Sequence, residues 1–269
     1  MLTPIRDNRS DDVADDADSV TYLGHATSLV EVDGVRLLTD PLLRRRTAHL
    51  RRPKFSRKHR NLSDVDAVLI SHMHWDHLDI PSLQQLPPGT PIFAPEGAEM
   101  VLRRAGINNV VVMREGDERP FRSLQIRATP ANHDGNRPPF GPDGEALGFL
   151  IRGSTVVYFA GDTDLFDDME HIGQDLDLAL LPVWGWGPSL GEGHLNPERA
   201  ATALTRLRPT QVVPIHWGTL CPIGLKWTRP LFLTEPPREF AREADRQAPD
   251  VDVRILEPGG SLSLIDRAR

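Results

Sequence analysis

The sequence predicts an α/β (α+β) chain built as two β-sheets covered by helices. Three observations predict it. Short β-rich runs recur from Val20 to the C-terminus, turn signals punctuate them, and only a few helical patterns are interspersed. A chain of 269 residues can bury a full core as one such domain. Periodicity by itself leaves several two-sheet folds open.

Taken in order, runs at 20–23, 28–32 and 35–39 read as strands, and Asp33-Gly34 between the last two is a two-residue hairpin signal. The short apolar run 67–70 reads as a buried strand. Further strands are expected at 91–94, 109–113, 124–128, 146–151, 155–160, 178–181 and 211–214. Runs at 251–256 and 261–264 close the chain, with Pro258-Gly259-Gly260 as the turn between them. Helices are expected at 81–85, at 96–105 with Gly106 as its stop, at 197–207 with Asn196 as cap and Pro197 at its first position, and at 237–247. No internal repeat and no interdomain linker is visible. Residues 20–269 therefore read as a single domain, preceded by an acidic, loosely attached tail over 1–19.

Composition narrows the class. Aromatic residues make up only 6%, so the core is expected to be aliphatic. No apolar run approaches the ~18 residues that a membrane span requires. The N-terminus leads into an acidic stretch without an apolar core, unlike a secretory signal. The single cysteine, Cys221, excludes an internal disulfide and fits a reducing cytoplasm. A net charge of −7 gives no global attraction to nucleic acid. The charge is uneven, however. Residues 1–20 hold six Asp and two Arg, whereas residues 44–60 hold nine Lys or Arg and no acid.

The informative segment is Ser71-His72-Met73-His74-Trp75-Asp76-His77, directly after the 67–70 run. A chain leaving a buried strand can aim several side chains into one cleft. Imidazole nitrogen and carboxylate oxygen are natural donors for zinc and similar ions. Four donors this close in sequence cannot easily serve one ion, so the spacing of His72/His74 against Asp76/His77 suggests two. Further donors stand just past later expected strands: His133 in Pro130-Ala131-Asn132-His133, Asp162 in Gly161-Asp162-Thr163, and His216 in Pro214-Ile215-His216-Trp217-Gly218.

This H-x-H-x-D-H segment, followed by a later His, a G-D-T Asp and an I-H-W-G His, resembles the metallo-β-lactamase superfamily in order and spacing. The resemblance runs from Tyr22 to about Leu264. It implies a four-layer αββα sandwich with the metals at one edge of the two sheets. It also implies a first site of His72, His74 and His133, a second of Asp76, His77 and His216, and Asp162 bridging two divalent ions together with a water or hydroxide. Zn2+ is the expected ion, with Mn2+ and Fe2+ as alternatives. Tyr22-Leu23-Gly24-His25-Ala26-Thr27, Leu38-Thr39-Asp40-Pro41 and Gly193-His194-Leu195-Asn196-Pro197-Glu198 are similar to the branch holding ascorbate-phosphate lactonases and N-acyl-phosphatidylethanolamine phospholipase D enzymes. Flavodiiron members usually carry a carboxylate where this chain has His74, which favours hydrolysis over redox chemistry. The chain departs from the lipase-like pattern in having Asn132 and Asp134 beside His133.

Two divalent ions about 3.5–4 Å apart can clamp a water and lower its pKa toward ~7. Asp76 is the candidate catalytic carboxylate that orients it. His194 is a candidate to meet the substrate or leaving group, the plainer alternative being a loop His beside a helix cap. Asp40 and Thr163 are candidates to orient ligand imidazoles. His25 reads as structural, in the turn between the first strands, while His49, His59 and His171 read as exposed. Cys221 reads as a small packed residue. The 44–60 basic block would attract an anionic small-molecule substrate, and Trp184 and Trp186 could wall a pocket. The leading reading is a phosphodiesterase-like hydrolase. The alternatives are a lactonase or carboxylic ester hydrolase with the same site, and a non-catalytic metal scaffold or nucleic-acid binder using the basic block. No stable nucleic-acid partner is expected, and oligomeric state is not legible.

Overall fold

The structure, a computed structural model, describes residues 17–53, 62–225 and 230–264. Most of the acidic N-terminal stretch, Lys54, Arg57, Lys58, His59, Arg60 and Trp227 lie outside the described residues. The first half of the chain forms β1 (Ser19–Gly24), β2 (Thr27–Val32), β3 (Val35–Thr39), the two-residue β4 (Arg46–Thr47) and β5 (Leu50–Arg51), β6 (Ala67–Leu69), helix α1 (Ile80–Leu83), β7 (Ile92–Pro95), α2 (Ala98–Arg104) and β8 (Val110–Met113). The second half forms β9 (Glu118–Phe121), β10 (Leu124–Asp134), β11 (Glu145–Arg152), β12 (Val156–Phe159), β13 (Leu178–Pro182), α3 (Pro197–Leu207), β14 (Gln211–Ile215), β15 (Cys221–Pro222), α4 (Pro236–Gln247), β16 (Asp252–Val253) and β17 (Ser261–Ser263).

These strands make two seven-stranded mixed sheets, ordered β17-β1-β2-β3-β6-β7-β8 and β16-β14-β13-β12-β11-β10-β9. A small third sheet, β15-β5-β4, lies apart from both. Strand alternation separates the faces of the first sheet. Leu37, Ala67, Leu69 and Phe93 join the core shared with the second sheet. Their neighbours Leu38, Val68, Ile92 and Ala94 turn the other way and pack with Leu83 of α1 and Ala98 and Leu102 of α2. On the far side of the second sheet, Ala200, Leu204 and Leu207 of α3 and Phe240 of α4 close the core. The result is the expected αββα order of four layers. Each fully buried Leu or Phe in it contributes about 1.5–3 kcal/mol relative to exposure.

Several local expectations hold in detail. Asp33 and Gly34 take φ of 50° and 72°, the left-handed pair of a tight hairpin turn. Asn196 Oδ1 accepts the Arg199 N–H at 2.8 Å at the start of α3. Other elements differ. β10 continues past the expected 128 as far as Asp134, with an irregularity in its pairing between Pro130 and Asp134. β9, with the sequence Glu-Arg-Pro-Phe, is an edge strand that lacks apolar alternation, and so escaped the sequence reading. Of 251–256 only Asp252–Val253 forms a strand. It pairs with β14 in the second sheet, whereas β17 pairs with β1 in the first. The Pro258-Gly259-Gly260 turn therefore carries the chain between sheets. Asp18, assigned to the tail from sequence, is tied down. Its carboxylate accepts from Asp33 N (2.8 Å), Ser154 Oγ (2.8 Å) and Thr155 Oγ1 (2.6 Å).

Candidate metal centre

The site forms where strands of both sheets end. β6 stops at Leu69, and the chain leaves the sheet through His72, His74, Asp76 and His77. A tight turn closed by His74 O, which accepts from His77 N (3.1 Å) and Leu78 N (2.9 Å), folds the second pair back toward the first. The extended end of β10 supplies His133. Asp162 follows β12, and His216 follows β14 directly. Gly161 brings Asp162 into place with φ +62°, and a Cβ there would lie 2.5 Å from Ser71 Cβ. Only glycine fits that turn without strain. His25, Asp40 and His216 also take left-handed φ, of 60°, 31° and 61°. Such backbone conformations cost about 1–3 kcal/mol each and are retained where surrounding structure enforces them.

All seven residues expected from sequence converge. His72, His74 and His133 form one group, and His25, Asp76, His77 and His216 form another. His74 Nδ1 lies 3.2 Å from His133 Nε2, and His77 Nε2 lies 3.1 Å from His216 Nε2. Asp162 Oδ2 stands 3.1 Å from His77 Nε2 and 3.2 Å from His216 Nε2. The same carboxylate also groups with His133 and His194. Asp162 thus touches both sets.

In four of the five rings the remaining nitrogen has an acceptor that sets the tautomer. His77 Nδ1–H donates to Asp40 Oδ2 (2.7 Å), His133 Nδ1–H to Gly193 O (2.8 Å), and His216 Nδ1–H to Trp184 O (2.8 Å). His72 Nδ1–H donates to Ser71 Oγ (2.9 Å), whose own hydroxyl donates to Asp40 Oδ2 (2.5 Å). Each of these rings turns Nε2 inward, and in His72, His133 and His216 that nitrogen is bare. Within this cluster two buried atoms, His72 Nε2 and Asp162 Oδ1, have no hydrogen-bond partner. Unsatisfied buried acceptors are costly, and a shared cation is what this donor set would satisfy.

The charge states agree for the other imidazoles and differ at His77. Burial pushes His72 well below the ordinary imidazole value, His74 to about 4 and His216 to about 3. For His77, burial opposes the charged form, but Asp162, Asp40 and Asp76 outweigh it and raise the ring well above its usual value. Burial likewise works against charge on Asp162 and Asp76. For Asp162 the nearby His216 and His77 outweigh it, and for Asp76 His77 and His25 do, so both carboxyls fall below the carboxylate range. Ionised carboxylates beside mostly neutral imidazoles make a ligand set for divalent cations.

Residues 35–217 match the beta-lactamase superfamily domain, which spans the whole of this cluster apart from His25. The chain belongs to the metallo-β-lactamase superfamily. This superfamily member is 34% identical over 249 residues to a UPF0173 metal-dependent hydrolase from Methanopyrus kandleri, covering 90% of this chain and 98% of that one. It is 32% identical over 231 residues to N-acyl-phosphatidylethanolamine-hydrolyzing phospholipase D 1 from Caenorhabditis elegans, covering 76% of this chain and 64% of that one. Among solved structures it resembles Igni18, a metallo hydrolase from Ignicoccus hospitalis. There the TM-score is 0.73 at 28% identity, over 93% of this chain and 99% of that one.

His194 lies at the rim of this metallo-β-lactamase centre. Its Nε2 is 3.6 Å from Asp162 Oδ2, its side chain is 22% exposed, and its Nδ1–H donates to Glu192 O (3.0 Å). Thr163 is adjacent and bonds Asn132 N (2.9 Å), holding the strand that carries His133 rather than an imidazole. His25 is the residue the sequence reading missed. It does occupy the β1–β2 turn, but its Nε2–H donates to Asp76 Oδ2 at 2.9 Å inside the second group. Its signal was the Gly24-His25-Ala26-Thr27 motif, which carries no indication of what the ring faces.

The basic block divides. Arg44 pairs with the buried Asp79, and Arg52 is buried, donating to Leu23 O and Leu42 O. Arg52 holds structure instead of facing solvent, whereas Arg44 pairs with Asp79 with its side chain 38% exposed. Arg45 and Arg46 are exposed on or beside a hairpin that Thr47 Oγ1 ties to Trp75 O (3.2 Å) in the ligand loop. Trp217 is a core residue stacked on Tyr22, while Trp186 is exposed with the His49 ring edge-on to it at 5.2 Å. His171 is exposed and Cys221 is buried, both as expected. No helix among the described residues is long and apolar enough to cross a membrane.

Proposed function

We propose that this protein is a two-metal hydrolase acting on a small phosphodiester or other anionic phosphorylated substrate. The observation that carries the reading is the pair of partnerless buried atoms, His72 Nε2 and Asp162 Oδ1, amid seven converging donors. His72, His74 and His133 would hold one ion, Asp76, His77 and His216 the other, and Asp162 both. Bound there, two divalent ions supply an activated water and polarise the electrophile. Zn2+ suits the imidazole-rich donors, and Mn2+ and Fe2+ are accepted by the same set.

The chain's own groups do the rest. Asp76 would help to hold its ion and orient the attacking water. His194, its Nδ1–H committed to Glu192 O, turns Nε2 toward Asp162, and only as an imidazolium would it donate Nε2–H to the leaving-group oxygen or to a non-bridging oxygen of the substrate. Arg45 and Arg46 on the hairpin beside the ligand loop favour an anionic ligand. The similarity to a phospholipase D supports phosphodiester chemistry. The buried free Cys221 fits a cytoplasmic setting.

The test is turnover of bis-p-nitrophenyl phosphate against a lactone and carboxylic ester panel, each with and without chelator. Chelator-sensitive phosphodiester cleavage supports the proposal. Turnover confined to lactones or esters moves the substrate assignment to carbonyl chemistry at the same centre. Absence of any chelator-sensitive turnover, with salt-dependent nucleic-acid binding, would replace it with a binding role.

A further inference from the structure

His25 stands outside the expected ligand set, yet two of those ligands depend on it. Its side chain is 1% exposed, and Nε2–H donates to Asp76 Oδ2 at 2.9 Å. Its backbone carbonyl accepts the N–H of His216 at 2.8 Å. The ring lies tilted over the His216 ring, with centroids 4.0 Å apart. Its own N–H donates to Thr219 Oγ1 at 2.7 Å, and the hydroxyl of Thr219 donates to Trp217 O at 3.0 Å. The residue is therefore bolted to the segment 216–219 through its backbone and to the ligand loop through its ring.

We infer that His25 is a positioning residue for the second ion, orienting Asp76 with its Nε2–H and His216 with its carbonyl. The inference rests on the two-metal reading above. Its bonding separates it from a sixth imidazole ligand. The rings of His72, His77, His133 and His216 present Nε2 to another candidate donor or to nothing, while Nδ1 is held from behind. In His25 the ring is held through Nε2 itself, by Asp76 Oδ2 at 2.9 Å, while His77 and His216 bring Nε2 to the other carboxylate, Asp162, at 3.1 and 3.2 Å. The bond to Asp76 holds Oδ2, the oxygen that also stands 3.9 Å from His77 Nε2 and 4.0 Å from His216 Nε2, and fixes the carboxylate's rotation. A carboxylate free to rotate would lose part of its affinity for the ion, as happens when a partner behind a metal ligand is removed. The left-handed φ of 60° at His25 lets ring and carbonyl point at two different ligands from one residue.

The test compares full-length wild type with His25→Ala, His25→Gln and His25→Asn, stripped by chelator and titrated with Zn2+ against a chromophoric competitor. Wild type should bind two ions. His25→Ala should weaken one of the two by roughly 10–100-fold and leave the other near its wild-type value. His25→Gln, whose amide nitrogen reaches the place of Nε2, should restore most of the loss, and His25→Asn, one carbon short, should not. The Gln/Asn comparison decides the matter even where the Ala variant folds poorly. Wild-type affinities at both sites in His25→Ala and His25→Asn would overturn the inference. Loss of an ion in His25→Gln equal to that in His25→Asn would overturn it in favour of direct ligation. Failure of wild type to bind two ions would instead count against the two-metal reading.

Discussion

Asp40 Oδ2 accepts the Nδ1–H of His77 at 2.7 Å, and both side chains are wholly buried. The same oxygen takes the Ser71 hydroxyl, which in turn holds His72, so one carboxylate orients an imidazole in each candidate site. Asp40→Asn should leave the fold intact and weaken binding of both ions, by about 10–100-fold for the site containing His77. Competitive zinc titration measures this. Unchanged affinity would show that Asp40 serves packing alone.

Arg137 clamps the ligand loop from outside. Its guanidinium donates to Met73 O (2.9 Å) and Leu78 O (2.7 Å), which bracket His74, Asp76 and His77, and its Cζ lies 3.7 Å from the centre of the Trp75 ring. Hydrogen bonds from a charged group contribute about 1.5–3 kcal/mol each. Arg137→Ala should lower the melting temperature, speed metal loss to chelator and shift Trp75 fluorescence. Arg137→Lys keeps charge but loses the planar stack, and should fall between the two.

His194 and Asp162 should separate kinetically although their side chains approach within 3.6 Å. His194→Ala should lower kcat by about 100- to 10,000-fold if its Nε2 handles a proton, while metal content stays at the wild-type level. Asp162→Ala should lose metal and turnover together. Elemental analysis beside kinetics distinguishes them, and metal loss in His194→Ala would reassign it as a ligand.

Gly161 offers a test of backbone geometry. Gly161→Ala would place a Cβ 2.5 Å from Ser71 Cβ at a φ of +62°. The expected result is destabilisation of at least about 1 kcal/mol, read by denaturant unfolding, with metal affinity reduced because Asp162 is the next residue.

Removing the ions should destabilise the whole domain, since a ligand binding only the folded state adds about 2.7 kcal/mol at a hundredfold excess over Kd. Differential scanning calorimetry should show a lower melting temperature after chelation and recovery on adding Zn2+. A transition insensitive to both treatments would contradict the assignment of the centre.

What the sequence determined by itself was local. Donor type and order are written in the chain, and their resemblance to the superfamily's motifs made His72, His74, Asp76, His77, His133, Asp162 and His216 legible as a set. So were the Asp33-Gly34 turn and the Asn196 cap, because each depends on residues within a turn of one another. The tertiary structure decided what lies across sheets. His25 joins the centre because β1–β2 packs its turn against Asp76 and His216, which are far away in sequence, and no spacing rule encodes that contact. It also decided that Arg52 is structural, that Arg44 pairs with Asp79, and that the last two strands enter different sheets. Hydrogen bonding between remote backbone segments settles such choices, and its partners are set only when the layers close.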